Sequence, residues 1–292
     1  MSKNSKPVKS AGAVAALRAA SSVHPDPTVR NPDFLAKHFP SGIHRALLRL
    51  PHAWLRRVVE RMVPGGYCYF LARTRFVDAL FKQAIEDGIE QFVILGAGFD
   101  SRAHRFRNQL ASATVFEIDL PAMQEAKLSA LRRAEVSLNE RVVYGTDDFQ
   151  DGALGNTLEA MDFDFSKRSL FVLEGVSYYL EQSHVSKMLE LVAKRCGSGS
   201  AFVFDYSLKS FLDGDYSTYG SAEMAKWLER NNEPFRFGLE PSHFSDFVES
   251  CGLEVRKNMR TNEIADRYLR DSQGEVIGKP LGYLCFAHCV KS

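Results

Sequence analysis

The sequence predicts an α/β fold, a mostly parallel sheet with helices on both faces, and two observations carry that prediction. First, five short runs are apolar along their whole length, as strands buried on both faces of a sheet are. Second, these runs alternate with stretches of helical spacing, which is typical of a doubly wound sheet. The runs are 92–95, 114–118, 142–144, 170–173 and 201–204.

Helical signals separate these strands. The clearest helix covers about 185–196, where Val185, Met188, Leu189 and Val192 share one face and Gly197 can stop the helix. Pro121 suits the first turn of a helix that follows the second strand. The pattern along the chain therefore predicts repeated strand-helix units.

The regions on either side of this core complete a single domain over residues 1–292. Residues 1–88 are predicted as an N-terminal helical cap and 89–207 as the core. Residues 208–292 are predicted as a lid insertion followed by C-terminal strands near 253–257 and 283–290, with a short helix over 242–252 between lid and strands. The stretch 208–241 is polar and aromatic without a clean period, so it is interpreted as an inserted lid.

Composition excludes several function classes. The 37 basic and 36 acidic residues nearly cancel, so no nucleic-acid partner is expected. No apolar run approaches the roughly 20 residues that span a bilayer, so no membrane partner is expected either. The five cysteines are scattered without a CxxC pair, which predicts no metal site and favours reduced thiols in the cytoplasm.

The N-terminus leaves one alternative open. Lys3, Lys6, Lys9 and Arg18 precede the first acidic residue, Asp26, with alanine and serine between them. The preferred interpretation is a frayed tail that leads into a helix, and the alternative is a targeting segment. The sequence indicates nothing about oligomeric state.

A glycine loop is the sharpest local motif. Gly96 and Gly98 directly follow a strand and precede a helix, where glycine permits a tight turn and close approach of a ligand. Ser101 stands where a dinucleotide site has its third glycine, which argues against NAD or FAD, and no P-loop motif occurs. Asp100 would repel a pyrophosphate but could accept hydrogen bonds from an ammonium group or a water molecule.

The second strand ends near two acids, Glu117 and Asp119. An acid about 20 residues beyond the glycine loop suits the hydroxyl groups of a ribose. Asp119 is the better candidate because Glu117 alternates with buried neighbours. The two motifs together indicate a nucleoside-type cofactor without a pyrophosphate.

Several motifs of the sequence resemble those of the leucine carboxyl methyltransferase family, particularly its bacterial branch. They are FVILGAGFDSRAHRF at 92–106, VFEIDLPA at 115–122 and LFVLEGVSYYL at 170–180, and the resemblance extends from about residue 12 to the end. It implies a Rossmann-like S-adenosylmethionine (SAM)-dependent methyltransferase fold with a mostly parallel seven-stranded sheet. It also implies SAM as the cofactor and methyl transfer (EC 2.1.1.-) as the activity.

The resemblance assigns roles by position. Arg73 matches an arginine that binds the SAM carboxylate, and Glu174 matches an acid near the SAM amino group. Gly96 and Gly98 match glycines that face the methionine part, and Asp119 matches the ribose-binding acid.

At the adenine, the resemblance is less regular. Asp148 and Phe149 match an Asp-Leu pair, but phenylalanine replaces leucine and a second acid, Asp147, precedes Asp148, so the register is open by one residue. His104 stands where the family often has tyrosine, and a structural role is preferred for it.

The expected reaction is O-methylation of a carboxylate or hydroxyl on a small molecule or peptide. An ionised carboxylate needs no general base, and no histidine has an evident carboxylate neighbour, which favours that acceptor. Tyr178 and Tyr206 are candidates for orienting the acceptor, with Tyr179 as a further member of the same group. The alternatives are a non-catalytic SAM-binding regulatory protein and an NAD(P)-dependent oxidoreductase.

Overall fold

The computed structural model describes residues 6–110, 112–149 and 152–292, with the backbone alone described over 6–9. The interpretation of the tail around Lys3 lies outside the described residues, and the side chains of Lys6 and Lys9 do as well. The tail does lead into a helix, α1, which begins at Lys6.

One sheet organises the chain. Its strands are β1 (Gln91–Leu95), β2 (Thr114–Ile118), β3 (Val142–Gly145), β4 (Ser169–Leu173), β5 (Ala201–Leu208), β6 (Gly238–Leu239), β7 (Glu254–Met259) and β8 (Leu284–Val290). The order is β3-β2-β1-β4-β5-β8-β7, with β6 paired to the end of β5. All pairs are parallel except β5 with β8 and β7 with β8. The prediction of a mostly parallel seven-stranded sheet is confirmed, and the two-residue β6 is an addition to it.

Helices cover both faces of this sheet. They are α1 (Lys6–Ser22), α2 (Gly42–Leu47), α3 (His52–Met62), α4 (Gly66–Glu86), α5 (Arg102–Arg105), α6 (Pro121–Arg133), α7 (Leu154–Ala160), α8 (Gln182–Arg195), α9 (Lys209–Leu212), α10 (Ser221–Asn231), α11 (Phe244–Ser250) and α12 (Thr261–Tyr268). Pro121 occupies the first turn of α6 as predicted. No helix in the described part of the chain is long and apolar enough to cross a bilayer.

The predicted lid contains more regular structure than its sequence indicates. An 11-residue helix, α10, lies in the stretch where no period was recognised. Ser221 and Leu228 of that helix are buried, and Met224 and Ala225 pack against the core, so the helix has a short inward stripe at helical spacing. The interpretation of this stretch as lacking a clean period is therefore wrong for α10.

The helix α4 joins the N-terminal cap to the core. Most of its length is buried, and Phe76 stacks on Phe286 of β8 with ring centroids 5.0 Å apart. This packing brings polar residues of α4, among them Arg73 and Asp78, against the sheet at the carboxyl ends of its parallel strands.

The strand order reverses between β1 and β4, which are neighbours in the sheet. The loops that follow these two strands therefore leave in opposite directions, and a crevice at such a switch point is where α/β folds bind ligands. The glycine loop follows β1 and Glu174 follows β4. The fold thus places both predicted motifs at the same edge of the sheet.

Candidate functional site: the edge between the glycine loop and the helical cap

The glycine loop adopts a backbone that explains its residues. Gly96 and Gly98 have φ angles of +61° and +45°, a region that other residues seldom occupy. A Cβ at position 96 would overlap Val176 Cγ2, whereas a Cβ at 98 would meet no atom closer than 3.7 Å. Gly96 is therefore needed for packing against the loop after β4, whereas a methyl group at position 98 would make only ordinary van der Waals contacts with Gly96 O and Met123 Cε.

Asp119 is bound to the glycine loop. Its Oδ2 accepts a hydrogen bond from Gly98 N at 2.5 Å, and its Oδ1 accepts one from Leu120 N at 2.6 Å. The residue is 9% exposed, and burial raises the pKa of its carboxyl despite these two bonds. Each carboxylate oxygen has further lone-pair capacity, so the group can still accept from two hydroxyls.

Arg73 lies in a buried ion cluster where the cap meets the sheet. Its Nε is 2.9 Å from Glu174 Oε1, and its Nη1 is 2.9 Å from Asp205 Oδ2. Asp205 also accepts from Tyr69 Oη and from Gly175 N, each at 2.7 Å. Arg73 and Glu174, which were predicted to hold different groups of SAM, are thus in direct contact, and Asp205 is the acid that fixes both the arginine and the loop after β4.

A second arginine, Arg102, extends this cluster toward the glycine loop. Its guanidinium contacts Glu174 at 2.7 Å, Asp78 at 2.7 Å and Asp100. Burial alone would raise the pKa values of these acids, but the adjoining arginines lower the pKa of Asp78, of Asp100 and of Glu174. All three are therefore carboxylates, and Asp100, which was predicted to accept from an ammonium group or a water molecule, is already paired with Arg102.

The whole cluster is a chain of ion pairs among buried side chains. It holds four arginines and five acids, with one more negative than positive charge. Its members are Arg18, Arg73, Arg102, Arg105, Asp33, Asp78, Asp100, Glu174 and Asp205.

The predicted adenine residues follow β3. Phe149 is buried with a φ of +61° and lines a small hollow beside Lys187 and Met188. Asp148 is exposed, whereas Asp147 accepts hydrogen bonds from Phe149 N at 2.7 Å and Thr157 Oγ1 at 2.8 Å. Asp147 thus shapes the turn, and Asp148 is the more exposed of the two acids.

Two residues near the loop have structural roles. Glu117 is buried and pairs with Lys127 Nζ at 2.6 Å, which agrees with the choice of Asp119 over Glu117. His104 is buried, and this burial lowers the pKa of its ring to about 4. Its Nδ1 accepts from Asn139 N at 3.3 Å, so His104 is a neutral packing residue.

The structure separates the two candidate tyrosines. Tyr178 is buried at the carboxyl end of β4 and packs on Phe235 of the lid, with ring centroids 4.3 Å apart. Tyr206 lies on the other face of β5 from Asp205, stacks on Phe244 and donates to Asn258 Oδ1 at 2.7 Å. Tyr178 therefore joins the site, and Tyr206 is held in a different part of the core.

The comparisons with known proteins agree with this geometry. The family model described as leucine carboxyl methyltransferase matches residues 11–193, which include α4, the glycine loop, Asp119 and Glu174. The chain belongs to the leucine carboxyl methyltransferase family. The predicted family is thereby confirmed.

Relatives in this family have names that agree with the predicted enzyme class and cofactor. A protein of Mycolicibacterium paratuberculosis named "Putative S-adenosyl-L-methionine-dependent methyltransferase" is 33% identical over 268 residues, 87% of this chain and 80% of the relative. YktD of Bacillus subtilis has the same kind of name and is 26% identical, over 68% of this chain and 65% of its own length. The match thus spans just under two thirds of the Bacillus protein.

Solved structures support the fold. A structure titled as a putative methyltransferase from Thermobifida fusca aligns with a TM-score of 0.59 at 17% identity, over 93% of this chain and 100% of that one. A DUF574 family protein from Streptomyces avermitilis aligns with a TM-score of 0.60, also at 17% identity, over 82% and 90% of the two chains. The predicted Rossmann-like architecture is shared with both.

The residues at this edge fit the cofactor that the family implies. SAM carries an ammonium and a sulfonium against one carboxylate, so it is a net cation, and the buried cluster together with Asp119 has an excess of negative charge. The backbone of Gly98 contacts Asp119 directly, so the glycine loop and this acid lie side by side. A cationic ligand without phosphate is the chemistry that this surplus of carboxylates favours.

Sequence reasoning missed Asp205, Asp78 and Arg102, which are central to the ion cluster. Asp205 had a signal, because it is an acid within the apolar run of β5. Asp78 and Arg102 had no sequence signal of their own beyond the motifs that flank them. Their pairing joins α4 to the glycine loop, and such a long-range contact is a tertiary feature.

Proposed function

We propose that this chain is a SAM-dependent methyltransferase that transfers a methyl group to an oxygen of a small molecule or peptide. The observation that carries the proposal is the bond from Gly98 N to Asp119 Oδ2, which fixes a ribose-type acid beside the glycine loop. This arrangement stands at the switch point of the sheet, where α/β folds bind ligands.

The proposed roles follow from position. Asp119 accepts from the ribose hydroxyls, Asp148 and Phe149 hold the adenine, and the loop at Gly96 and Gly98 lies along the methionine part. Arg73 and Glu174 hold its carboxylate and ammonium group, with Asp100 acting through Arg102. When bound, SAM supplies an electrophilic methyl group on its sulfonium.

A carboxylate is the favoured acceptor because neither the histidine nor the candidate tyrosine that the structure describes at this site suits the role of a general base. His104, the histidine next to the glycine loop, is buried and neutral, and burial raises the pKa of Tyr178 far above its usual range. An ionised carboxylate is already a nucleophile at neutral pH and needs no proton removal. Holding two reactants in line then lowers the barrier by up to several kcal/mol.

Tyr178 and the lid would form the acceptor side of this site. Arg236 N donates to Tyr178 O at 2.7 Å, and Phe235 packs on both Tyr178 and Tyr179. The lid is thereby attached to the loop that follows Glu174. We assign Tyr178 to acceptor positioning, whereas the hydrogen bond from Tyr206 to Asn258 favours a packing role for Tyr206.

The state of the cysteine thiols favours a cytoplasmic location for this protein. All five cysteines are free and buried, and burial raises the pKa of Cys68 and of Cys285 to about 12. Such thiols are unreactive and suit a reducing compartment.

The test is calorimetric titration of the purified protein with SAM, S-adenosylhomocysteine and NADH. We expect micromolar binding of the first two and a loss of roughly 10- to 100-fold in Asp119→Ala, as for hydrogen bonds to a charged group. Glu125→Ala, on α6 just beyond, is the matched control and should bind normally. Binding of NADH instead would support an oxidoreductase, and SAM binding without turnover on any metabolite pool would support a regulatory protein.

A further inference from the structure

The positive charge of this chain is concentrated in one segment of the cap. Residues 36–62 hold six basic residues and one acidic residue, Glu60, out of 37 basic and 36 acidic residues in all. The remainder of the chain therefore has four more acidic than basic residues. The net charge of the chain is near neutral, but this segment is cationic. We call residues 42–62, from α2 through α3, the basic strip.

The basic strip also exposes large apolar side chains. Ile43 is 69% exposed, Trp54 61% and Met62 59%, and Leu50 between the two helices is also exposed. Large exposed apolar groups close together along the chain commonly mark an interaction surface.

Helix α3 separates an inward and an outward face. Leu55 and Val59 point into the core, so the residues about half a turn away point outward. The outward residues are Trp54, Arg57, Arg61 and Met62, and the Arg57 guanidinium lies 5.8 Å from the Trp54 ring centroid. Apolar and cationic groups thus alternate on one face.

Most arginines of the basic strip form no ion pair in the part of the chain that the structure describes. Among the described residues, no carboxylate lies within ion-pair distance of Arg45, Arg49, Arg57 or Arg61. Arg56 differs, because it faces inward, lies over the Tyr67 ring and donates to Ile277 O. Arg56 therefore anchors α3, and the other arginines are available to a partner.

We infer that the basic strip docks this protein on an anionic lipid surface. A helix with basic residues beside Trp and Leu lies in the plane of the lipid headgroups, with its apolar groups below and its cations at the phosphates. The rest of the chain has a net negative charge, so the attraction to an anionic surface favours an approach by this end.

An anionic bilayer fits better than a nucleic acid. Phosphate contacts to nucleic acid need the arginines but give no reason to expose Ile43, Leu50 and Met62. A helix that lies on a membrane surface needs no spanning apolar segment, so the absence of such a segment does not exclude this mode of binding. This inference does not depend on methyl transfer.

The first experiment is co-sedimentation of the full chain with vesicles of neutral phosphatidylcholine, or of phosphatidylcholine with about 30% phosphatidylglycerol. We expect at least about tenfold stronger binding to the anionic vesicles, weakened by salt. Arg57→Glu with Arg61→Glu should abolish it. The matched control, Arg132→Glu with Arg133→Glu at the exposed end of α6, has the same charge change and should bind normally. Both variants must keep the circular dichroism spectrum of the parent.

The second experiment reports the contact itself. The chain has two tryptophans, so Trp227→Phe leaves Trp54 as the only one. Trp54 emission should shift to the blue with anionic vesicles and become shielded from aqueous quenchers, because the ring enters the headgroup region. Equal binding to both vesicle types, equal loss in the α6 control, or no change at Trp54 would overturn the inference. A Trp54 response to RNA or polyglutamate and not to vesicles would replace the lipid by that partner.

Discussion

Arg73 Nη1 lies 2.9 Å from Asp205 Oδ2, and this contact joins the helical cap to the sheet at the candidate site. Both side chains are buried. The same carboxylate holds Tyr69 of α4 and Gly175 of the loop after β4. Asp205 is therefore the point at which α4, β4 and β5 are fixed relative to one another.

Removing Asp205 should strongly destabilise the protein. Asp205→Ala leaves Arg73 with one of its two anionic partners, in a place that water does not reach. Breaking a buried pair on one side costs about 3–5 kcal/mol of unfolding free energy, and Asp205→Asn should cost less because it keeps an acceptor. Urea denaturation at neutral pH measures both values.

The control for this prediction is the surface pair of Lys209 and Asp213, whose side chains are about half exposed. Asp213→Asn should change the unfolding free energy by less than about 0.5 kcal/mol. An Asp205→Ala variant as stable as this control would show that the cap does not depend on the Arg73 contact.

Replacing the two glycines of the loop should affect different properties, the stability of the protein at Gly96 and the binding of SAM at Gly98. Gly96→Ala has a left-handed backbone and an overlap with Val176 Cγ2, so it should lose more than the roughly 1–2 kcal/mol that the backbone alone costs. Gly98→Ala has only the backbone cost, because its methyl group makes ordinary van der Waals contacts, but it lies on the loop that is proposed to face the methionine part of SAM. We expect a folded protein that no longer binds SAM.

The substitution Val176→Ala separates these two effects. It should restore part of the stability of Gly96→Ala and leave the SAM affinity of Gly98→Ala unchanged. Thermal unfolding and calorimetric titration of the single and double variants give the four comparisons. Rescue of SAM binding in Gly98→Ala by Val176→Ala would contradict the distinction.

The sequence predicts the sheet and its loop but not the interior of the site. Buried parallel strands are apolar throughout, and the turn after β1 requires glycine, so both features are local. The pairing of Arg102 with Asp78 joins residues of two separate elements, and nothing in either segment specifies it. Tyr206 illustrates the same limit, because its place on the chain predicts the right strand end but not the face on which Asn258 binds it.

Two histidines, His104, which is buried, and His288, which is partly buried, should make the protein sensitive to acid. Burial lowers the pKa of His104 and of His288 to about 4, whereas an unfolded histidine titrates near 6.5. Between these values the unfolded chain binds more protons than the folded one, so stability falls as the pH decreases through this window. Above pH 6.5 the histidines contribute no pH dependence.

The slope measures this effect. Each histidine contributes up to about 1.4 kcal/mol of unfolding free energy per pH unit within the window. His104→Leu should flatten the dependence between pH 6 and 4 by about one proton, seen as a smaller shift of the urea midpoint. His243→Gln, at an exposed position, is the control. An unchanged slope in His104→Leu would mean that the folded ring accepts a proton in this range.

The buried pair of Glu117 and Lys127 gives the last prediction, because it adjoins Asp119 without being assigned to the ligand. Burial raises the pKa of Glu117 even with Lys127 Nζ 2.6 Å away, so the carboxylate depends on this cation. Lys127→Met leaves the acid unpaired and should cost about 3–5 kcal/mol of unfolding free energy. The double variant with Glu117→Leu removes both charges and should be more stable than Lys127→Met alone.

A double-mutant cycle by urea denaturation measures the coupling free energy between Glu117 and Lys127. The exposed pair Glu190 and Lys194 is the control and should give a coupling of less than about 1 kcal/mol. Additive losses at Glu117 and Lys127 would instead mean that each charge acts independently, and Lys127 would then be a candidate for direct contact with the ligand at Asp119.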